Sequence, residues 1–190
     1  MYSFFQPISE HADMIHKLLR SKSTSLQNII VTSLFGTLSA IFQSAGGFFP
    51  WVGYLISPLA TAPIIFCTIL SLKFGLFSYM VSILLLLVIQ PSELIVFPFT
   101  TGLLGLAIGL AFRKFSKRIS IIFFGSLALL AGMMIVLYGF GFPLLGPSIP
   151  ANISYSGTGI LFLFSFFYSW LWTEASHAVF KKIQKLLYYI

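Results

Sequence analysis

The sequence predicts an all-α integral membrane protein of six transmembrane helices, with the amino and carboxyl termini both cytoplasmic. Three observations carry this. Of 190 residues, 58% are hydrophobic and only 8% charged, whereas a soluble domain holds about a quarter charged residues. The apolar residues fall in long runs, giving a mean hydropathy of +0.99. All 11 Lys and Arg lie in the segments 1–25, 71–75, 113–118 and 181–190, and the intervening connections carry none. That alternation obeys the rule that cytoplasmic loops hold the positive charge, and it requires six crossings.

The same features exclude other classes. A net charge of +7 could suit nucleic acid, but the bases flank apolar runs instead of sharing a polar surface, so no nucleic-acid partner is expected. The single cysteine, Cys67, sits inside an apolar run, which leaves neither a disulfide framework nor a cysteine metal site. The first apolar run starts near residue 26 behind a polar segment and has no clean small-residue cleavage site, so it reads as a retained helix. The chain divides into a cytoplasmic or interfacial segment 1–25, a transmembrane domain 26–180 and a basic amphipathic tail 181–190.

In segment 1–25, Met14, Ile15, Leu18 and Leu19 suggest a short amphipathic helix lying on the membrane surface. Ser23 or Ser25 could cap the helix that follows. The first span, 26–46, carries Gly36, Ala40 and Ser44 at helical spacing, a small-residue face that admits close approach of another helix. Residues 46–54 are too rich in Gly and Pro for a helix and too apolar for an ordinary loop; Trp51 and Tyr54 there suit the headgroup belt. The second span, 54–72, contains Pro58 and Pro63, and a turn at 71–75 leads to a short third span, 76–89. The fourth, 94–112, is the most informative. Glu93 precedes it, Gly102, Gly105 and Gly109 recur along it, and Arg113, Lys114, Lys117 and Arg118 follow it. The fifth span, 119–140, has Gly125, Ala128 and Gly132 on one face. The charge-free connection 141–157 leads to the sixth, 158–180, where Ser165, Ser169, Thr173 and His177 recur every four residues.

No catalytic constellation is present: no paired acids on one helix face, no His-Glu-x-x-His, no nucleophile elbow and no phosphate-binding glycine loop. The chain is therefore expected to be non-enzymatic, with no cofactor and no metal. Glu174 and His177 read as a pair at the inner interface, with Glu174 also in reach of Lys181 or Lys182. Glu93 stands among residues without a basic partner. It reads as a ligand-binding carboxylate or as the start of a helix whose dipole it meets, and the two roles are compatible. With Glu93, the side chains Gln43, Trp51, Tyr54, Gln90, Asn152 and Tyr155 could line an outward-facing pocket for a small, partly flat organic molecule. The aromatics serve equally as interfacial anchors, and the glycine and serine stripes as helix packing.

In these features the chain resembles the substrate-binding S components of energy-coupling factor (ECF) transporters. The resemblance rests on its size, the predicted six helices with cytoplasmic ends, the Gly36–Ala40–Ser44 stripe, and Gly102, Gly105 and Gly109 ahead of a basic loop. It implies capture of a vitamin-like small molecule in a bacterial cytoplasmic membrane. It also implies docking through Gly36, Ala40 and Ser44 onto a transmembrane coupling subunit, with residues 46–54 as a lid and separate ATPase subunits supplying the energy. On that reading Ala40→Leu blocks transport and spares ligand binding. The alternatives are a scaffold or assembly protein without a ligand, in which Glu93 only caps a helix, and a small self-sufficient permease.

Overall fold

The computed structural model describes residues 5–10, 12–16, 24–49, 51–142 and 155–188, with no side-chain description at 155, 156 and 186–188. Six long helices follow one another: α1 Ser25–Phe48, α2 Val52–Leu70, α3 Leu72–Ile89, α4 Glu93–Lys114, α5 Arg118–Gly139 and α6 Tyr155–Tyr188. The first five are long and apolar enough to cross a bilayer. α6 has the length, but its serines, Thr173, tyrosines and tryptophans dilute its apolar character. Leu34, Ile41, Leu84, Val88, Leu163 and Phe167 stand exposed on the outside, a surface that suits lipid and not water. The chain is a multi-pass, all-helical membrane protein.

α4 sits centrally between α2 and α5, α1 and α3 pair on the α2 side, and α6 covers α5. The glycines of α4 set the α2–α4 distance. A Cβ on Gly105 would stand 2.7 Å from the Ile64 Cβ, and one on Gly109 would stand 2.5 Å from the Thr68 Cβ. Only a hydrogen at these positions lets the two backbones come so close. The α6 stripe faces α5: Ser169 Oγ donates to the Ile122 carbonyl at 2.9 Å, and Ser165 Oγ approaches the Met133 sulfur at 3.6 Å. Both stripes are packing surfaces.

Two helices are interrupted at the end that carries Glu93. α2 passes through a 3₁₀ turn at Ser57–Ala60, containing Pro58, before Thr61–Leu70. α4 does the same at Phe97–Phe99, containing Pro98, before Thr101–Lys114. Each proline removes a backbone donor and blocks the ordinary i to i−4 bond. α5 also loosens there, ending in a π turn at Ile135–Gly139.

Several sequence expectations change. The Gly36–Ala40–Ser44 face is not open to another protein, because α3 and α2 cover it. Ala40 is fully buried, Gly36 and Ser44 are buried, and Ser82 Oγ donates to the Gly36 carbonyl at 2.9 Å. Gly46 and Gly47 are helical and not part of a loop: α1 runs to Phe48 and α2 begins at Val52, since a helix keeps backbone groups bonded at membrane depth. Thr24, not Ser23 or Ser25, caps α1. Its hydroxyl accepts from the Gln27 amide N–H and the Gln27 side chain accepts from the Thr24 N–H, a reciprocal box that needs Gln or Glu three residues on.

At the basic end, the 71–75 turn shrinks to Ser71, whose side chain caps α3, and α3 gains a full first turn. The 181–190 tail is no separate element, because α6 continues unbroken to Tyr188. Of the amphipathic helix expected in the amino-terminal segment, Leu18 and Leu19 lie outside the described residues. Ile8, Ala12 and Ile15 are buried in the bundle core, while Met14 is exposed. Ile8 N–H bonds the Ser116 carbonyl at 3.0 Å and Arg118 N–H the Gln6 carbonyl at 3.2 Å, which straps the segment to the α4–α5 link. Glu174 pairs with Arg118 at 2.9 Å, a partner the sequence spacing did not suggest.

Candidate ligand cavity

A cavity of about 270 Å³ opens where α2 and α4 are interrupted, near the lower end of the roughly 300–1,000 Å³ common for small-molecule sites. α1 contributes Gln43, α2 Tyr54, Ser57 and Pro58, and α4 Val96, Thr100 and Thr101. Leu129 and Met133 of α5 and Phe164 and Tyr168 of α6 complete the wall. The lining is mostly apolar and carries no charged side chain.

Gln43 is the polar centre of this wall. Only 2% of it is exposed. Its Nε2 donates to Glu93 Oε2 at 2.7 Å, and its Oε1 accepts from Thr101 Oγ1 at 2.7 Å. The chain Thr101–Gln43–Glu93 ties α4 to α1 and back to α4. Glu93 itself lies half-buried in the first turn of α4, where a negative charge meets the positive end of the helix dipole. Glu93 thus opens the helix, one of its two anticipated roles, and reaches the site through Gln43.

The serine and threonine hydroxyl protons of the wall are already committed. Thr101 donates to Gln43, Thr100 Oγ1 donates to the Val96 carbonyl at 2.7 Å, and Ser57 Oγ to the Gln43 carbonyl at 3.4 Å. Each hydroxyl oxygen keeps a lone pair that can still accept. Apart from the Tyr54 and Tyr168 phenols and the second Gln43 Nε2 proton, the polar groups of the wall are acceptors, with a carboxylate one residue behind them, and suit a ligand with an apolar body and an N–H or O–H group.

Of the residues singled out from the sequence, Gln43 and Tyr54 line the cavity and Glu93 joins it through Gln43. Tyr54 is 70% exposed, so it forms the rim. Trp51 is 87% exposed and outside the wall. Its backbone takes a left-handed φ of 71° at the α1–α2 link, an uncommon conformation for a bulky residue. Gln90 also stands outside the wall and donates to Ser92 Oγ at 3.3 Å. Asn152 and the Tyr155 side chain lie outside the described residues. Thr100, Thr101, Ser57, Met133, Phe164 and Tyr168 were not anticipated. Pro98, directly before the Phe-Thr-Thr stretch, was the available signal that the chain breaks there. Comparisons with family models, with curated proteins and with solved structures found no match, so the geometry alone carries the functional reading.

Proposed function

We propose that the chain is a membrane-embedded substrate-capture subunit for uptake of a vitamin-like small molecule, working with a transmembrane coupling subunit and separate ATPases. It crosses a bacterial cytoplasmic membrane six times with both ends inside, and the cavity opens outward. One observation carries this reading: the cavity coincides with paired breaks in α2 and α4. Interrupted hydrophobic helices at membrane depth recur at transporter binding sites, because irregular backbone there persists only where it is enclosed or lines a cavity. The apolar plug below the cavity, with Ile65, Leu104, Ile108 and Phe112 all buried, favours capture over a self-sufficient permease. The covered Gly36–Ala40–Ser44 face gives the coupling subunit no purchase, so docking uses another surface.

The test is to purify the full chain in detergent and identify, by mass spectrometry of the extract, any stoichiometric small molecule. The expected compound has an apolar body with a hydrogen-bond donor, and its occupancy drops in Gln43→Leu. A protein that emerges empty, and that no donor-bearing compound stabilises against heat, would favour a scaffold role instead.

A further inference from the structure

A second cavity, of about 250 Å³, lies at the opposite, basic end of the bundle. His16 from the amino-terminal segment, Asn28 from α1, Leu70 and Ser71 from the α2–α3 link, Lys73 and Phe74 from α3 and Arg113 from α4 line it. No acid is among them. Two permanent cations from different helices thus converge on one polar hollow. The framework around it is bonded: Arg113 Nη1 donates to the Thr68 carbonyl at 3.5 Å, and His16 Nδ1 lies 2.8 Å from the Leu70 carbonyl and 3.2 Å from that of Ile69. A carbonyl only accepts, so these contacts call for a proton on His16 Nδ1.

We infer that this cavity binds the phosphate group of an anionic molecule, between Lys73 and Arg113. Like charges gathered around a hollow repel one another, and an anion between them relieves that repulsion. Arg presents a planar fork that matches phosphate oxygens, and Lys adds a point charge. A phospholipid headgroup is one source of such a phosphate, since basic pockets between membrane helices hold anionic headgroups. Leu26, Ile29 and Ile30 of α1 and Leu72, Leu76 and Phe77 of α3 are exposed nearby and would carry the acyl chains. A soluble phosphate is the other source.

The experiment uses the full chain in neutral detergent, with binding read by native mass spectrometry and thermal unfolding. The probes are phosphatidylglycerol, phosphatidylcholine and inorganic phosphate. Phosphatidylglycerol is expected to bind and raise the unfolding midpoint, and phosphatidylcholine to do neither. Lys73→Gln with Arg113→Gln should weaken binding about 30-fold, as loss of two charges near the surface does. Lys114→Gln with Lys182→Gln, which removes two exposed charges at the same end, should leave affinity near that of the parent. Lys73→Arg with Arg113→Lys keeps the charges and should restore binding, which separates loss of the site from loss of the fold. Protection by inorganic phosphate equal to that by phosphatidylglycerol identifies the occupant as a soluble anion; protection by the lipid alone identifies a headgroup. Equal losses in the two Gln pairs, or equal binding of the zwitterionic lipid, overturn the inference.

Discussion

Cutting the link between Gln43 and Glu93 is the most direct test of the cavity's polar wall. Gln43→Leu keeps most of the side-chain volume and removes both 2.7 Å hydrogen bonds, to Glu93 and from Thr101. A hydrogen bond to a charged group contributes about 1.5–3 kcal/mol and one between neutral groups about 0.5–1.5. Inside membranes, measured couplings average only about 0.6 kcal/mol and reach about 1.7, because unfolded helices find other partners. Glu93 is half-buried, so water also replaces part of what it loses. We therefore expect Gln43→Leu to destabilise the fold by about 2 kcal/mol, and Thr101→Val, which removes one neutral bond, by about 0.5–1 kcal/mol. The informative quantity is the Gln43→Leu/Glu93→Leu double-mutant cycle, measured by reversible unfolding in mixed micelles. Its coupling should be about 1 kcal/mol, whereas values within roughly 0.3 of zero mark independent sites. A coupling that small would refute the wall as drawn and the acceptor character assigned to it.

Further outcomes follow from the packing. Ala40→Leu forces extra carbons into a fully buried position where Ala60, Ile64 and Leu86 cluster; overpacking of this kind costs typically 1–3 kcal/mol. Thermal unfolding of the purified protein should drop before any assembly with partners is tested, and an unchanged midpoint would reopen α1 as a docking face. Gly105→Ala puts a methyl against Ile64 and should likewise destabilise by about 1–3 kcal/mol. The same substitution at Gly159, with nothing within 4 Å, should not destabilise, so similar losses at both would contradict the α2–α4 contact. Glu174→Ala leaves Arg118, whose side chain is 6% exposed, without its carboxylate at 2.9 Å. Breaking such a pair costs about 3–5 kcal/mol when it is buried. Because Glu174 is 27% exposed, the loss should fall near or below about 3 kcal/mol, read by the same unfolding assay.

The helices were legible because apolar runs of membrane length announce themselves, and because every cation falls between them in the same alternating places. What spacing could not say was which partner a face meets. Gly36–Ala40–Ser44 and Gly102–Gly105–Gly109 carry the same small-residue signature, and both mark close approach. Whether the approaching helix belongs to the same chain is a three-dimensional fact, and for Gly36 it is α3. Gln43 and Glu93 were both visible as polar groups in apolar surroundings, but 50 residues separate them and no local pattern pairs them. Aromatic rings were harder still. Tyr54 reaches the cavity and Trp51 does not, although the two are three residues apart and equally suited to the headgroup belt. Boundaries moved where a glycine was given its soluble-protein meaning. Gly46 and Gly47 end a helix readily in water, but not where an open backbone has no solvent to bond.

The cavity owes its place to how the broken backbone is repaired. Interrupting α2 and α4 frees carbonyls that lipid cannot satisfy, and side-chain hydroxyls from α1 and α3 take them up. Ser39 of α1 donates to the Ala60 carbonyl at 2.8 Å, and Tyr79 of α3 to that of Pro98 at 3.0 Å. Thr100 Oγ1 adds a bond of 2.7 Å to the Val96 carbonyl, which also accepts the Thr100 N–H at 3.0 Å. Ser39 and Tyr79 come from the α1–α3 side, whereas Leu129, Met133, Phe164 and Tyr168 close the opposite wall from α5 and α6. The breaks are thus sealed on one side and left facing a hollow on the other. Because the serine and threonine hydroxyls there spend their protons and not their lone pairs, they remain acceptors at the hollow. The chemical selectivity inferred for the ligand is therefore a consequence of the two prolines: Pro58 and Pro98 create the space, and satisfying the backbone they disturb decides what kind of polar group can enter it.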